Sequence, residues 1–301
     1  MTIDVVILTF NSGPLIDRCL EHLMLQTVAH RTIVVDNGSS DGSADRVRKN
    51  WPAVEVIEAG ENLGFSRGVN RGAAAGSGDV IVCLNDDTEV EPKFLEAITA
   101  PLAAERVGAV AGLLLMPDGE RVDGFGIEID ATLQGYNRLR GRRPGERTGV
   151  LAAASGGAAA YRRSAFDAAG GFDERLFSYG EDLDLGLRLR AAGWEVAEAA
   201  GARGIHLGGA TWGRMPAARR ARAAFGRGFV LRRFGGISAR TLATETLAVG
   251  FGCVSDRSLA PLRQRVAGWR AAGGERVAVP AEAVDARIGF REAIRRQRGG
   301  L

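Results

Sequence analysis

Runs of β-branched and other apolar residues alternate with helical patterns through the N-terminal third of the chain. Predicted strands cover residues 4–10, 32–35, 54–57 and 80–84. After the first strand, Leu15, Cys19 and Leu23 repeat at the spacing of one helix face. Strands that alternate with helices in this way predict a parallel sheet with right-handed crossovers, which is the organisation of a nucleotide-binding α/β half.

The fourth predicted strand, residues 80–84, is the element around which the others are organised. Its five consecutive apolar residues indicate a strand buried on both faces, and it leads directly into Asn85, Asp86 and Asp87. Open α/β sheets bind ligands at the carboxyl ends of their strands, and carboxylates suit hard divalent cations. The pattern therefore predicts a ligand site here; the alternative is an acidic turn that caps the next helix.

Turns rich in short polar residues and glycine follow the other predicted strands. Such side chains bind backbone groups or the base and ribose of a ligand, and glycine permits close approach of the backbone. Neither the dinucleotide pattern Gly-x-Gly-x-x-Gly nor the phosphate-binding pattern Gly-x-x-x-x-Gly-Lys occurs. The candidate ligand-binding residues in these turns are Thr9, Asn11, Asp36, Asn37, Asn62, Gly64 and Asn70.

A second pair of acidic residues, Glu181 and Asp182, stands at the predicted start of a helix. Leu183 and Leu187 share one face of this helix, and Gly193 is suited to end it. Carboxylates in a first turn interact favourably with the helix dipole. Stabilisation of the helix is therefore the alternative to a chemical role for the pair.

The region around this pair is less regular. Shorter strands are predicted between residues 107 and 129, and a loop over the site is predicted for residues 130–150, which have little apolar content. A last strand is predicted at residues 194–197. His206 follows it. A single histidine more often has a structural role than the role of a metal ligand.

Composition describes an ordinary globular chain of 301 residues, 46% hydrophobic and 25% charged. Cys19, Cys83 and Cys253 show no metal-binding or redox spacing, which fits a reducing compartment. The longest later apolar run, residues 242–254, contains Glu245 and is too short to span a bilayer. No signal peptide is visible, so we expect a cytoplasmic protein.

Charge is unevenly divided along the chain. Residues 207–301 hold 18 arginines, no lysine and 6 acidic residues, a net charge of +12, whereas residues 1–206 hold 21 basic and 30 acidic residues, a net charge of −9. Phe225 and Phe229 form an apolar stripe within the arginine-rich part. This part either packs as core or lies against anionic lipid as a peripheral contact at the inner face of the cell membrane.

Four motifs occur in one order and spacing: Val-Ile-Leu-Thr-Phe-Asn, Val-Val-Asp-Asn-Gly-Ser-Ser-Asp-Gly-Ser, Glu-Asn-Leu-Gly-Phe-Ser-Arg-Gly-Val-Asn and Leu-Asn-Asp-Asp-Thr-Glu-Val. A later segment reads Gly-Gly-Phe-Asp-Glu and then Glu-Asp. Over about residues 1–235 the chain thus resembles the family-2 glycosyltransferases of the GT-A fold, and within them the bacterial rhamnosyltransferase-like branch.

The resemblance implies an α/β fold of the GT-A nucleotide-diphospho-sugar transferase type, a mixed and mostly parallel sheet flanked by helices. It implies a catalytic domain at residues 1–213, with a nucleotide-binding half at about 1–105 and an acceptor half at about 106–213. Residues 214–301 are then an arginine-rich helical C-terminal extension.

The resemblance also assigns roles to the candidate residues. Asp182 is the catalytic base and Glu181 supports it. Asp87 and His206 hold a divalent metal, Mg²⁺ or Mn²⁺. Asn85 stands where the family often has an aspartate, which bears on the metal preference. The residues expected to bind the donor are Thr9, Asn11, Asp36, Asn37, Asn62, Gly64, Asn70 and Asp86.

The implied activity is inverting, metal-dependent transfer of a sugar from a nucleotide-diphosphate donor to a hydroxyl acceptor in cell-surface polysaccharide or glycolipid synthesis. Rhamnose from a dTDP-linked donor and a lipid-linked glycan acceptor are the favoured substrates. Two alternatives stay open: a non-catalytic nucleotide-sugar-binding protein and a sugar nucleotidyltransferase. Nucleic acid is not an expected partner, because the arginine-rich part shows no known nucleic-acid-binding module.

Overall fold

The computed structural model describes residues 1–146, 149–208, 216–289, 292–293 and 296. The strands are β1 (Ile3–Thr9), β2 (Arg31–Asp36), β3 (Glu55–Glu58), β4 (Val80–Asn85), β5 (Thr88–Val90), β6 (Val107–Leu115), β7 (Val122–Gly124), β8 (Ile127–Ile129), β9 (Gly135–Asn137), β10 (Ala158–Arg162) and β11 (Glu195–His206). The helices are α1 (Pro14–Met24), α2 (Ser43–Asn50), α3 (Gly64–Ala75), α4 (Phe94–Thr99), α5 (Arg163–Ala168), α6 (Glu181–Ala191), α7 (Pro216–Arg233), α8 (Ala239–Ser255) and α9 (Ala260–Ala271). Short 3-10 helices cover Ala100–Ala103 and Ala281–Ala283.

One mixed sheet runs through the molecule in the order β3-β2-β1-β4-β10-β6-β11-β5, with β7 paired to β6. The β3, β2, β1 and β4 strands are parallel, as the alternation of strands and helices predicts. β10 then lies antiparallel between β4 and β6, and β11 returns parallel to β6. The mixed, mostly parallel sheet with flanking helices confirms the predicted fold class.

β4 is buried on both faces because helices cover each side of the sheet. Val80, Val82 and Leu84 pack into one core, and Ile81 and Cys83 pack into the other. The first core includes apolar side chains of α1 and α4, and the second includes those of α3, α5 and α6. Because successive side chains of β4 point to opposite faces of the sheet, this one strand contributes to both cores.

The second half of the sheet is more regular than predicted. A single nine-residue strand, β6, stands where shorter strands are predicted, and β11 extends over 12 residues to His206. The predicted loop at residues 130–150 contains β9, which pairs with β8. Arg138 lies buried there, donating to the carbonyls of Phe125 and Gly149 and pairing with Glu198. These tertiary hydrogen bonds give order to a segment that has little apolar content of its own.

The C-terminal helices share a core with the rest of the chain. Leu183 and Leu187 of α6 pack with Val230 and Phe234 of α7. Phe229 is fully buried beside Leu176 and Ala272, so this residue of the predicted stripe is core. No helix in the described ranges is long and apolar enough to cross a membrane. The predicted boundary at residue 213 lies outside the described residues.

Candidate active site

The carboxyl ends of β1, β2 and β4 bring three predicted donor residues together. Thr9 and Asp36 are register partners on β1 and β2, and Asp86 directly follows β4. Burial, with the charge of Asp87, raises the pKa of Asp86 to about 6, although hydrogen bonds from Thr9 and Ser12 oppose the shift. Oδ1 of Asp36 is buried and, among the described residues, has no hydrogen-bond partner. A buried acceptor without a partner is a candidate contact for a ligand.

Asn37, Asn62 and Gly64 form one hydrogen-bonded group beside these strand ends. The Asn37 amide donates to Asn62 Oδ1 at 3.2 Å and accepts from the backbone N–H of Leu63 at 2.8 Å. Gly64 has φ +80°, and a side chain there would collide with the carbonyl of Phe177. Only glycine therefore lets α3 begin this close to the segment that precedes α6.

The other two predicted donor residues play different local parts. Asn11, at φ 53°, accepts from the backbone N–H of Ser40 at 2.8 Å and so links the turn after β1 to the turn after β2. Asn70 lies apart from this group. Its amide donates to the carbonyl of Phe172 at 2.8 Å and accepts from the Phe172 N–H at 3.0 Å. The Asn70 side chain thus holds the segment before α6 in place.

His206 connects the acidic turn after β4 to β7. Its Nε2 lies 3.1 Å from Asp87 Oδ1 and 3.2 Å from Asn85 Nδ2, and its Nδ1 lies 2.7 Å from Asp123 Oδ2. Burial by itself would lower the pKa of His206, but the two carboxylates outweigh it and raise the pKa to about 9. Arg140 pairs with the other oxygen of Asp123 at 2.9 Å.

The donor set at this point suits part of a metal site. Asp87 and His206 converge there, and carboxylate with imidazole is a common combination for Mn²⁺ and related ions. Among the described residues, no three His, Cys, Asp or Glu side chains form a group that could hold a metal by themselves. The protein atoms therefore fit an ion that takes its remaining ligands from a substrate phosphate and from water.

Glu181 and Asp182 occupy the first turn of α6, as predicted. Asp182 Oδ1 accepts from the backbone N–H of Gly156 at 2.9 Å, and Oδ2 accepts from Ser155 Oγ at 3.3 Å. Burial raises the pKa of Asp182 to about 6, although these hydrogen bonds favour the ionised form. Burial and the charge of Asp182 raise the pKa of Glu181 well above its ordinary value. Glu181 Oε2 is buried and has no hydrogen-bond partner in the described chain.

A cleft of about 1370 Å³ joins the carboxylate pair to the histidine. Asn85, Asp123, Glu181, Asp182 and His206 all contribute to its lining. Among the described residues, the predicted donor residues lie outside this lining, at the ends of β1, β2 and β4 and at the start and in the middle of α3. Arginines also contribute to the lining of the cleft, and they are Arg140, Arg142, Arg219, Arg220, Arg227, Arg265 and Arg296.

Comparison with known proteins identifies the family. The model of the glycosyl transferase family 2 matches residues 4–170, which is more than half of the chain. The chain belongs to the family 2 glycosyltransferases. The transferase is therefore an enzyme, and neither a non-catalytic nucleotide-sugar-binding protein nor a sugar nucleotidyltransferase is supported.

Two curated relatives are rhamnosyltransferases. The transferase is 33% identical over 245 residues to the N-acetylglucosaminyl-diphospho-decaprenol L-rhamnosyltransferase of Mycobacterium tuberculosis, covering 71% of this chain and 78% of the relative. It is 29% identical over 183 residues to the O-antigen chain rhamnosyltransferase WbaN of Salmonella anatum, covering 58% of this chain and 55% of that relative. Both relatives are thus named for rhamnose transfer, one of them for transfer to an O-antigen chain.

Solved structures show the same fold. The mannosyltransferase PcManGT from Pyrobaculum calidifontis, solved with GDP-Man and Mn²⁺, superposes with a TM-score of 0.57 at 18% identity, covering 90% of this chain and 74% of that one. The structure of GalNAc-T7 with UDP, GalNAc and Mn²⁺ gives a TM-score of 0.61 at 18% identity, covering 78% of this chain and 48% of that one. The transferase therefore has the GT-A fold.

Sequence reasoning missed Asp123, Ser155 and Gly156 as site residues. Asp123 lies in the three-residue strand β7, which carries no periodic pattern of its own. Ser155 and Gly156 precede β10, and only the tertiary approach of α6 brings them to Asp182. The Ser-Gly-Gly run before an apolar strand was the available signal.

Proposed function

We propose that the transferase moves L-rhamnose from a dTDP-linked donor to a hydroxyl group of a lipid-diphosphate-linked sugar, with inversion at the anomeric carbon. The observation that carries the reaction type is the Asp182 carboxylate, which the Gly156 N–H fixes in the first turn of α6 and which lines the cleft beside Glu181. The sugar and acceptor classes are inferred from the rhamnosyltransferase of Mycobacterium tuberculosis.

In this mechanism the acceptor hydroxyl oxygen attacks the anomeric carbon while the bond to the donor diphosphate breaks. Asp182 takes the hydroxyl proton, and the nucleoside diphosphate leaves with the bonding electron pair. One direct displacement forms no covalent intermediate, so a single base is enough and the configuration inverts. Glu181 remains protonated beside Asp182, because burial and the neighbouring charge both disfavour a second ionised carboxylate.

The donor is proposed to lie along the ends of β1, β2 and β4. Asp36 and Asn37 face its base and ribose, with Thr9, Asn11 and Asp86 beside them. Asp87 and His206 are proposed to hold Mg²⁺ or Mn²⁺, which would stabilise the charge that develops on the departing diphosphate. The arginines that line the cleft are proposed to contact an acceptor that carries phosphate, because the guanidinium group forms bidentate hydrogen bonds to phosphate.

The test supplies purified protein with dTDP-rhamnose, UDP-glucose or GDP-mannose, and with a short-chain N-acetylglucosaminyl-diphospho-lipid acceptor. The account expects transfer from dTDP-rhamnose, with release of dTDP and formation of the product with inverted configuration. Transfer from another donor alone would change the sugar assignment. Product with retained configuration would contradict the single-base mechanism.

A further inference from the structure

The outer face of α8 is apolar and exposed. Leu247, Phe251 and Val254 follow the spacing of one helix face, and their exposed fractions are 63%, 72% and 78%. Soluble proteins rarely leave several large apolar side chains side by side in water unless the patch binds something. The opposite side of α8 carries Glu245, Ala248 and Gly252, which face the rest of the protein.

The outer face of α9 combines apolar residues with arginines. Leu259, Leu262 and Val266 are exposed, and Arg263 and Arg270 lie on the same side of the helix by their spacing. Within the described part of the chain, neither of these arginines has an acidic partner. A stripe of aliphatic side chains flanked by cationic ones is the pattern of a helix that lies in a lipid interface.

The acidic residues of the two helices are turned inward. Glu245 pairs with Arg227 at 2.8 Å and with Arg265 at 2.5 Å, and Asp256 pairs with Arg220 at 2.6 Å. Residues 239–271 contain no other acidic residue. The outward surface of α8 and α9 is therefore cationic as well as apolar, and the ion pairs on the inner side join α8 to α7 and to α9.

The same helices border the catalytic cleft. Ala248, Phe251 and Gly252 of α8 contribute to the lining that also contains Glu181 and Asp182. Phe251 belongs both to the exposed face and to this lining, so a surface that bound the outer face of α8 would lie along the edge of the cleft. An acceptor anchored in that surface would then reach the catalytic carboxylate while its anchor stayed in the surface.

We propose that the outer faces of α8 and α9 dock the transferase on an anionic lipid bilayer, with Leu247, Phe251 and Val254 inserted among the headgroups. Docking gives the active site access to a lipid-linked acceptor. This use of the surface rests on the proposed function, whereas the docking itself does not. A second copy of the chain is a poorer occupant, because a symmetric contact would bring the unpaired arginines of α9 toward each other.

The experiment sediments the full chain with vesicles of phosphatidylcholine alone or with about one third phosphatidylglycerol, at low and high salt. We expect the protein to pellet only with the anionic vesicles and to be released by salt. Leu247→Ser combined with Val254→Ser should lower the partition coefficient about tenfold or more. Arg263→Gln and Arg270→Gln should each lower it about fivefold.

Matched controls use exposed residues on other faces. Leu25→Ser removes an exposed leucine at the end of α1, and Arg71→Gln removes an exposed arginine of α3. Both variants should bind vesicles like the unmodified chain. Binding that falls equally in the controls, or a chain that stays in the supernatant at low salt, overturns the proposal.

Two further measurements distinguish the remaining outcomes. Sedimentation velocity in the absence of lipid detects a dimer, and a dimer that Leu247→Ser with Val254→Ser dissociates would assign the face to a second copy and overturn the proposal. Vesicle binding needs no turnover. A chain that binds vesicles but transfers no sugar therefore contradicts the proposed function and supports the docking surface. Transfer without vesicle binding supports the proposed function and overturns the docking surface.

Discussion

The backbone N–H of Gly156 donates to Asp182 Oδ1 at 2.9 Å, and this bond ties the first turn of α6 to the start of β10. Ser155 Oγ reaches the other carboxylate oxygen at 3.3 Å. The two contacts fix the orientation of the carboxylate before any substrate binds. A base held in place in this way spends no free energy on ordering during the reaction.

Replacement of Gly156 tests this contact. A Cβ at residue 156 would lie 2.5 Å from Phe65 Cζ and 3.0 Å from Asp182 Oδ1, so Gly156→Ala must move one of them. We expect kcat to fall about 10²-fold, because a misplaced base is less effective, with little change in donor affinity. Gly124→Ala is the control, since Gly124 also lines the cleft but has open space where a Cβ would be. Equal losses in the two variants would show that the contact with Asp182 has no special role.

The pH dependence follows from the raised pKa of Asp182. Burial holds this pKa at about 6, and only the ionised carboxylate accepts a proton from the acceptor. Transfer should therefore be maximal above pH 6 and fall about tenfold for each pH unit below it. Measurement of kcat/KM from about pH 5 to 8 provides the check. A flat profile across that range would exclude Asp182 as the titrating base.

Donor binding should depend on a divalent ion. Asp87 and His206 are the proposed protein ligands, so Mn²⁺ should strengthen the binding of the dTDP-linked donor, and Asp87→Ala should remove the effect. Calorimetric titration in Mn²⁺ and in EDTA measures both affinities without turnover. Equal affinities in the two conditions would exclude a metal that bridges protein and donor.

Asp123 should raise the affinity for Mn²⁺ by orienting the His206 side chain. Its carboxylate lies 2.7 Å from Nδ1 of the imidazole, an arrangement that sets the tautomer of a metal-binding histidine. Asp123→Asn should weaken Mn²⁺ binding about 10- to 100-fold. Asp118→Asn alters an exposed carboxylate of the preceding turn and provides the control. Unchanged Mn²⁺ affinity in Asp123→Asn would restrict Asp123 to a structural role.

The extension contributes to stability through Arg233. This buried arginine donates to Asp184 Oδ1 and to Asp173 Oδ2, both at 2.8 Å, and so joins α7 to α6. Arg233→Met should lower the free energy of unfolding by about 3 kcal/mol, because two carboxylates lose a buried partner. Arg276→Met, at an exposed position, should change it by less than about 0.5 kcal/mol. Urea unfolding that gives equal values for the two variants would contradict the role of these two ion pairs.

The parts of the site that sequence reasoning found are local in the chain. Asp86 and Asp87 directly follow a buried strand, and Glu181 and Asp182 open a helix, so the pattern places each pair on its own element. Asn70 shows the limit of this reasoning. It belongs to a motif, but its amide is used by the backbone of Phe172, about a hundred residues away in sequence.

The parts that were missed depend on distant pairings. Asp123 meets His206 across 83 residues, from a strand too short to show a period. The apolar residues of α8 show no contrast between two helix faces in sequence, because Ala, Gly and Thr occupy much of its inner side. Which apolar residues face water becomes clear only when α7 and α9 are packed beside it.

In the proposed mechanism Asp182 is the base and Glu181 is its protonated neighbour. Asp182→Asn should lower the rate of transfer about 10²- to 10⁴-fold and leave donor affinity unchanged, because only the proton acceptor is lost. Glu181→Gln keeps a neutral side chain of the same shape and should retain most of the activity. Single-turnover measurement of rhamnose transfer by both variants, with donor affinity measured in parallel, decides between the two carboxylates. Normal transfer by Asp182→Asn together with an inactive Glu181→Gln would contradict the account.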